Sequence, residues 1–205
     1  MSRRVAILIV CGLAVIVAVW TSASPAPERV PDASRAVLAS ETCSALGKQL
    51  VSDEERMALF VTGLKEHRLD CGPSNADEVY RFTWVAAFRI YHPITVSIMR
   101  TGDVVVAVTR EYAWEQSARS FTLLSARERQ IPLPEWTRVR TRLANVEFWN
   151  LEPETLAGND GSTWAIEGRA GDRYHLVSRW SPRDSAFRRV ALELLRLGGL
   201  GDPEP

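Results

Sequence analysis

A histidine, an acid on the neighbouring strand and two nearby serines are the residues whose types could do covalent chemistry in this chain. His175 lies between Tyr174 and Leu176, and strand alternation puts Arg173, Val177 and Arg179 on its face. Glu167 on the preceding strand, with Ser181 or Ser162, would supply the orienting acid and the nucleophile of an acyl-transfer site. No G-x-S-x-G elbow surrounds either serine. A histidine on a solvated strand face reads more simply as a surface side chain. No catalytic residue is therefore predicted, and a small hydrolase using His175, Glu167 and Ser181 is the alternative to a non-catalytic chain.

Metal and cofactor chemistry finds less support. Gly158-Asn159-Asp160-Gly161-Ser162 carries calcium-friendly oxygens but lacks the alternating acids and closing Glu of a twelve-residue calcium loop, so it reads as an Asx turn. Glu66-His67 and His92 have no second ligand at zinc spacing. No G-x-G-x-x-G and no P-loop is present. No cofactor and no metal site is predicted. Of the tryptophans, Trp84, Trp136 and Trp164 fall on apolar stripes and belong to the core. Trp114, in a stretch read as the loop Glu111–Ala118, is the candidate for an exposed contact.

The elements that would position these residues follow from periodicity. Ser52-Asp53-Glu54-Glu55 is a capping box, and Met57, Phe60, Val61 and Leu64 continue it as a helix over 53–66. A second short helix is expected near 36–50. From Glu78 the period becomes two. Tyr80, Phe82, Trp84, Ala86, Phe88 and Ile90 share one strand face, with Arg81, Thr83 and Arg89 largely on the other. Thr95–Arg100 and Val104–Arg110 flank Gly102-Asp103, a two-residue loop suited to a type II′ turn. Ser120–Arg127 is a fourth strand. Pro134 opens a helix with Trp136, Val139, Leu143 and Val146 on one stripe, after which Phe148-Trp149 folds back on the core. Ser162–Gly168 and Arg173–Trp180 form a second hairpin across Ala170-Gly171-Asp172. Asp184 or Ser185 caps a last helix with Phe187, Val190, Ala191, Leu194 and Leu197 inward, ended by Gly198-Gly199. The turns Arg100-Thr101-Gly102-Asp103 and Arg169-Ala170-Gly171-Asp172 mark a weak repeat. Two hairpin-plus-helix units predict an α+β fold: an antiparallel sheet with two amphipathic helices on one face, preceded by a small helical N-terminal segment.

The N-terminus sets the expected compartment. Arg3 and Arg4 precede an apolar run of 16 residues, Val5 to Trp20, then Thr21-Ser22-Ala23. That pattern is an export signal cleaved after Ala23, or an uncleaved inner-membrane anchor that leaves the domain outside the cytoplasm. The twin-arginine and lipoprotein readings are weaker, because Ala6-Ile7 and Val10 depart from those motifs. Residues 1–23 are thus signal or anchor, 24–40 a proline-bearing linker, 41–200 a single domain and 201–205 a tail. Within that domain, 41–72 is the helical part and 78–200 the sheet region. Loss of the signal removes Cys11 and leaves Cys43 and Cys71, for which a disulfide is expected in an oxidising compartment. It would close a loop of about 29 residues and stabilise by roughly 3.5 kcal/mol.

Composition bounds the function. With 205 residues, 46% hydrophobic, the chain can bury one good core. Its 25 basic and 25 acidic side chains cancel, which argues against nucleic-acid binding.

Phe148-Trp149-Asn150-Leu151, Asp160-Gly161-Ser162-Thr163-Trp164, the run Tyr174 to Pro182 and Tyr80-Arg81-Phe82-Thr83-Trp84 resemble a group of exported bacterial proteins of no established activity. The resemblance spans about 78–200. It implies a periplasmic or secreted α+β domain and brings no catalytic residues. The expectation is an envelope binding or interaction module whose partner is a protein or other envelope component. A secreted inhibitor of an enzyme is a variant of the same reading.

Overall fold

The computed structural model describes residues 63–70, 75–87, 91–152, 160–183 and 185–203. The expected signal or anchor, the linker, Cys43, Cys71 and residues 53–62 of the helix expected over 53–66 lie outside them; the helix has ended by Leu64, and Lys65 turns left-handed at φ +58°.

Six strands form one antiparallel sheet: β1 (Glu78–Ala86), β2 (Ile94–Thr101), β3 (Val104–Glu115), β4 (Ser120–Gln130), β5 (Ser162–Ala170) and β6 (Arg173–Trp180). Their spatial order is β4-β3-β2-β1-β5-β6, so the first strand lies in the middle and each hairpin adds to one side of it. Helix α1 (Leu133–Asn145) follows β4, and helix α2 (Ala186–Leu197) follows β6. Both pack on the same sheet face, as the α+β expectation requires.

Local chemistry explains the elements. Thr101 pairs with Val104 and Ala170 with Arg173, so each Gly-Asp loop has two residues. Gly102 and Gly171 have φ of +57° and +58°, the sign that a type II′ turn needs at its first central residue. In both turns the preceding arginine donates to the glycine carbonyl, Arg100 Nη1 at 3.3 Å and Arg169 Nε at 3.2 Å. The repeated Arg-x-Gly-Asp is therefore a repeated turn. Pro134 sits in the first turn of α1, whose buried stripe is Trp136, Val139 and Leu143. Ser185 caps α2 by accepting from the Arg188 N–H at 3.1 Å. Phe148 ends fully buried in a 3₁₀ turn, Phe148–Asn150.

The helix-side core gathers Tyr80, Phe82, Trp84, Val96, Ile98 and Trp164 from the sheet with Val139, Phe187, Val190 and Leu194 from the helices. Burying each such side chain contributes about 1.5–3 kcal/mol. The opposite face is also covered. Leu69 packs there against Val79, Met99, Val106 and Val108. Residues 63–70 thus form a strap across the back of the sheet, and the face opposite the aromatic stripe, which carries Arg81 and Thr83, is interior as well.

Two expectations are corrected. Glu111–Glu115 is not loop but the end of β3, and the turn is confined to residues 116–119. β4 runs on to Gln130 with a bulge: its partners step from Ser125 opposite Glu111 to Leu123 opposite Tyr112, leaving Leu124 as the extra residue.

Candidate functional site

The back face holds a network of buried charge. Arg81 on β1 pairs in register with Glu167 on β5, and both are nearly inaccessible, at 1% and 2%. Arg81 Nε donates to Glu167 Oε2 at 2.7 Å. Its Nη2 lies 2.6 Å from the same oxygen, off the hydrogen-bonding direction, and adds charge attraction only. The other carboxylate oxygen of Glu167 accepts from Tyr174 at 3.2 Å. Arg81 Nη1 reaches the strap and donates to the His67 carbonyl at 2.6 Å. Burial opposes the charged guanidinium, yet Glu167 and Glu66 hold the Arg81 pKa above its ordinary value.

Beside this pair lies Glu66 of the strap. Thr95 Oγ1 donates to its Oε1 at 2.7 Å, Tyr112 donates to the same oxygen, and Arg110 Nη1 spans both oxygens at 3.3 and 3.1 Å. Arg81 Nη1 stands 4.0 Å away. Thr95 and Arg110 are direct cross-strand partners on β2 and β3, and Tyr112 lies two residues further along the same face. Burial alone would raise the Glu66 pKa. Arg81, Arg110 and the two hydroxyls outweigh it and hold the carboxyl below the usual range. Burial raises the Tyr112 and Tyr174 phenols, and the adjacent carboxylates raise them further. Arg169 Nη1 completes the attachment by donating to the Leu69 carbonyl at 3.2 Å.

The chemical meaning of the network is satisfaction. Arg81 and Arg110 face Glu66 and Glu167 in equal number, and each carboxylate is already bonded by its neighbours. Such groups are poised to hold a structure, not to exchange protons with a substrate.

The residues singled out as chemistry do not converge. Gly168 pairs with His175 and Glu167 with Leu176, so alternation puts His175 and Glu167 on opposite sheet faces. His175 is not on a solvated face. It lies half-buried on the helix side, edge-on to Phe148, and donates Nε2–H to the Leu151 carbonyl at 3.0 Å. Ser181 accepts the Ser162 N–H at 3.0 Å and closes the β5–β6 hairpin. Among the described residues no group of three His, Cys, Asp or Glu side chains could hold a metal. A shallow cleft of about 290 Å³ between the end of α1 and the start of α2 is lined by Arg142, Asn145, Val146, Ala186, Arg189 and Val190, with no acid, histidine or hydroxyl among them.

Trp114 is half-buried on β3. It crosses to Phe121 of β4, edge to face at 5.0 Å, and donates Nε1–H to Gln116 at 2.9 Å. The exposed apolar side chains stand just beyond it: Leu123 is 48% and Leu124 50% accessible. β4 is an edge strand with most residues exposed on both faces. No sequence signal marked the Arg81–Glu167 pair or the Glu66 cluster.

No family model matches the chain, and no curated protein matches it.

Proposed function

We propose that the chain is an exported, non-catalytic interaction module of the bacterial envelope that meets a protein partner along the β4 edge. The observation that carries this reading is the bulged edge strand, with Leu123 and Leu124 exposed beside the Trp114–Phe121 pair. An edge strand offers unpaired backbone N–H and C=O groups, and an extended segment of a partner satisfies them by strand addition. The two leucines add apolar area that monomeric surfaces rarely cluster at an edge. Arg127, Glu128 and Arg129 further along β4 limit indiscriminate pairing. The basic-then-apolar N-terminus and the resemblance to exported proteins support the location. A secreted inhibitor fits the same surface, with an enzyme as the partner.

The test compares capture from an envelope extract by the wild type, by Leu123→Lys/Leu124→Lys and by Leu133→Lys. Leu133 is another exposed leucine, on α1. The reading expects one reproducible partner, retained by Leu133→Lys and lost by the double variant. Equal capture by all three proteins, or none by any, would sink it.

A further inference from the structure

The Glu66 carboxylate is bound the way a protein binds a ligand. Its partners are one guanidinium and two hydroxyls, and all three come from the sheet: Thr95 on β2, Arg110 and Tyr112 on β3. Thr95 and Tyr112 are buried and Arg110 is half-buried, so strand pairing and packing fix their positions. A second cation, Arg81, stands behind them and is itself anchored by Glu167. The carboxylate enters from the opposite side, on the strap. From it, we infer that Thr95, Arg110 and Tyr112 form a carboxylate-binding site of the sheet, for which Glu66 is an internal ligand that a free carboxylate can replace.

Preorganisation favours the exchange. Donors held by a rigid sheet lose little freedom when an anion arrives, and a buried Arg-hydroxyl set prefers the planar carboxylate to a spherical ion. Tethering gives Glu66 a high effective concentration, which keeps external anions out of the intact chain. Removing the side chain removes that advantage and leaves the donors. Glu66→Ala deletes a CH₂–COO⁻ group, so acetate has the matching shape. The Glu66 site shares no residue with the exposed leucines of the β4 edge.

The experiment uses the full chain with Glu66→Ala and follows thermal unfolding in sodium acetate against sodium chloride at matched ionic strength and neutral pH. Acetate is expected to raise the midpoint of the variant saturably, beyond chloride. A dissociation constant near 10 mM would multiply the folded-to-unfolded ratio about tenfold at 100 mM acetate. The wild type is expected to respond equally to both salts. Adding Arg110→Ala to the variant is expected to abolish the difference. Should Glu66→Ala be unfolded without ligand, the same titration reads acetate-dependent recovery of folded circular dichroism. Equal effects of acetate and chloride on the variant, no recovery with acetate, or an acetate effect that survives Arg110→Ala would each overturn the inference.

Discussion

Arg81 is the side chain on which the back of the sheet depends most. Its guanidinium is bonded to Glu167 and to the His67 carbonyl, with Glu66 near, and water reaches none of these contacts freely. Removing one partner of a buried pair leaves the other uncompensated, at about 3–5 kcal/mol. Arg81→Met is expected to lower the urea-unfolding free energy by that amount. Arg81→Met with Glu167→Leu is expected to lose less than the single variant, because no charge is then stranded. A double-mutant cycle in urea measures the coupling, and additive losses would contradict it. Thr83, two residues along the same face, makes the opposite case. Its hydroxyl is buried with no hydrogen-bond partner among the described residues. An unsatisfied buried hydroxyl costs about 1–3 kcal/mol, so Thr83→Val, nearly the same shape, is expected to be neutral or to raise stability by about 1 kcal/mol. A clear loss in thermal melting would show that the hydroxyl has a role.

At the scale of elements, α2 is tied to the sheet at its C-terminal end. Thr109 Oγ1 donates to the Gly198 carbonyl at 2.8 Å. A Cβ at Gly198 would meet Thr109 Oγ1 at 2.6 Å and both Val96 methyls at 2.8 Å. Val96 is fully buried and stiff about χ1, so the helix end must give way instead. Gly198→Ala is expected to cost about 1–3 kcal/mol by overpacking, read from chemical denaturation, whereas Gly201→Ala, with open space around its Cα, is expected to cost far less. The strands, the two Gly-Asp turns and both helix stripes were legible because each rests on local rules: alternation, a positive-φ glycine, a 3.6-residue period. The back face was not. Alternation put Arg81 and Thr83 on the face opposite the aromatic stripe but could not say that this face is interior, which follows from the strap bonding to Arg81 and Thr95. That contact joins residues far apart in sequence, and no periodicity carries it. Trp114 was misread as loop because the turn was drawn too wide. The bulge at Leu124 left no local signature at all.

At the scale of the molecule, the strap gives stability a predictable dependence on pH. Burial, Arg81 and Arg169 lower the His67 pKa against the pull of Asp70 and Glu66. Burial would raise the carboxyls of Glu66 and Asp70, but the neighbouring arginines win and both end lowered. A folded pKa below the unfolded one means that the unfolded chain binds more protons, so stability falls as pH falls. The loss from His67 begins below its ordinary value of about 6.5, and the carboxylates follow below about 4. On the alkaline side, burial and adjacent carboxylates raise the Tyr80, Tyr112 and Tyr174 pKa values, so their contribution is present below about 10 and is lost above it. Glu66, His67 and Asp70 lie together on residues 63–70, whereas the buried carboxylate on the helix side, Glu78 at the start of β1, accepts from Tyr80 at 2.9 Å beside Arg140 of α1 and touches no part of the strap. Acid is therefore expected to detach the strap before it melts the sheet. Hydrogen exchange followed by mass spectrometry, stepped from pH 7 to pH 4 with intrinsic-rate correction, should show protection falling first in 63–70 while β1 and β5 stay protected. In Glu66→Gln the part of the fall below about pH 4.5 should flatten. Simultaneous loss of protection in the strap and β1 would mean that the two faces of the sheet unfold as one unit.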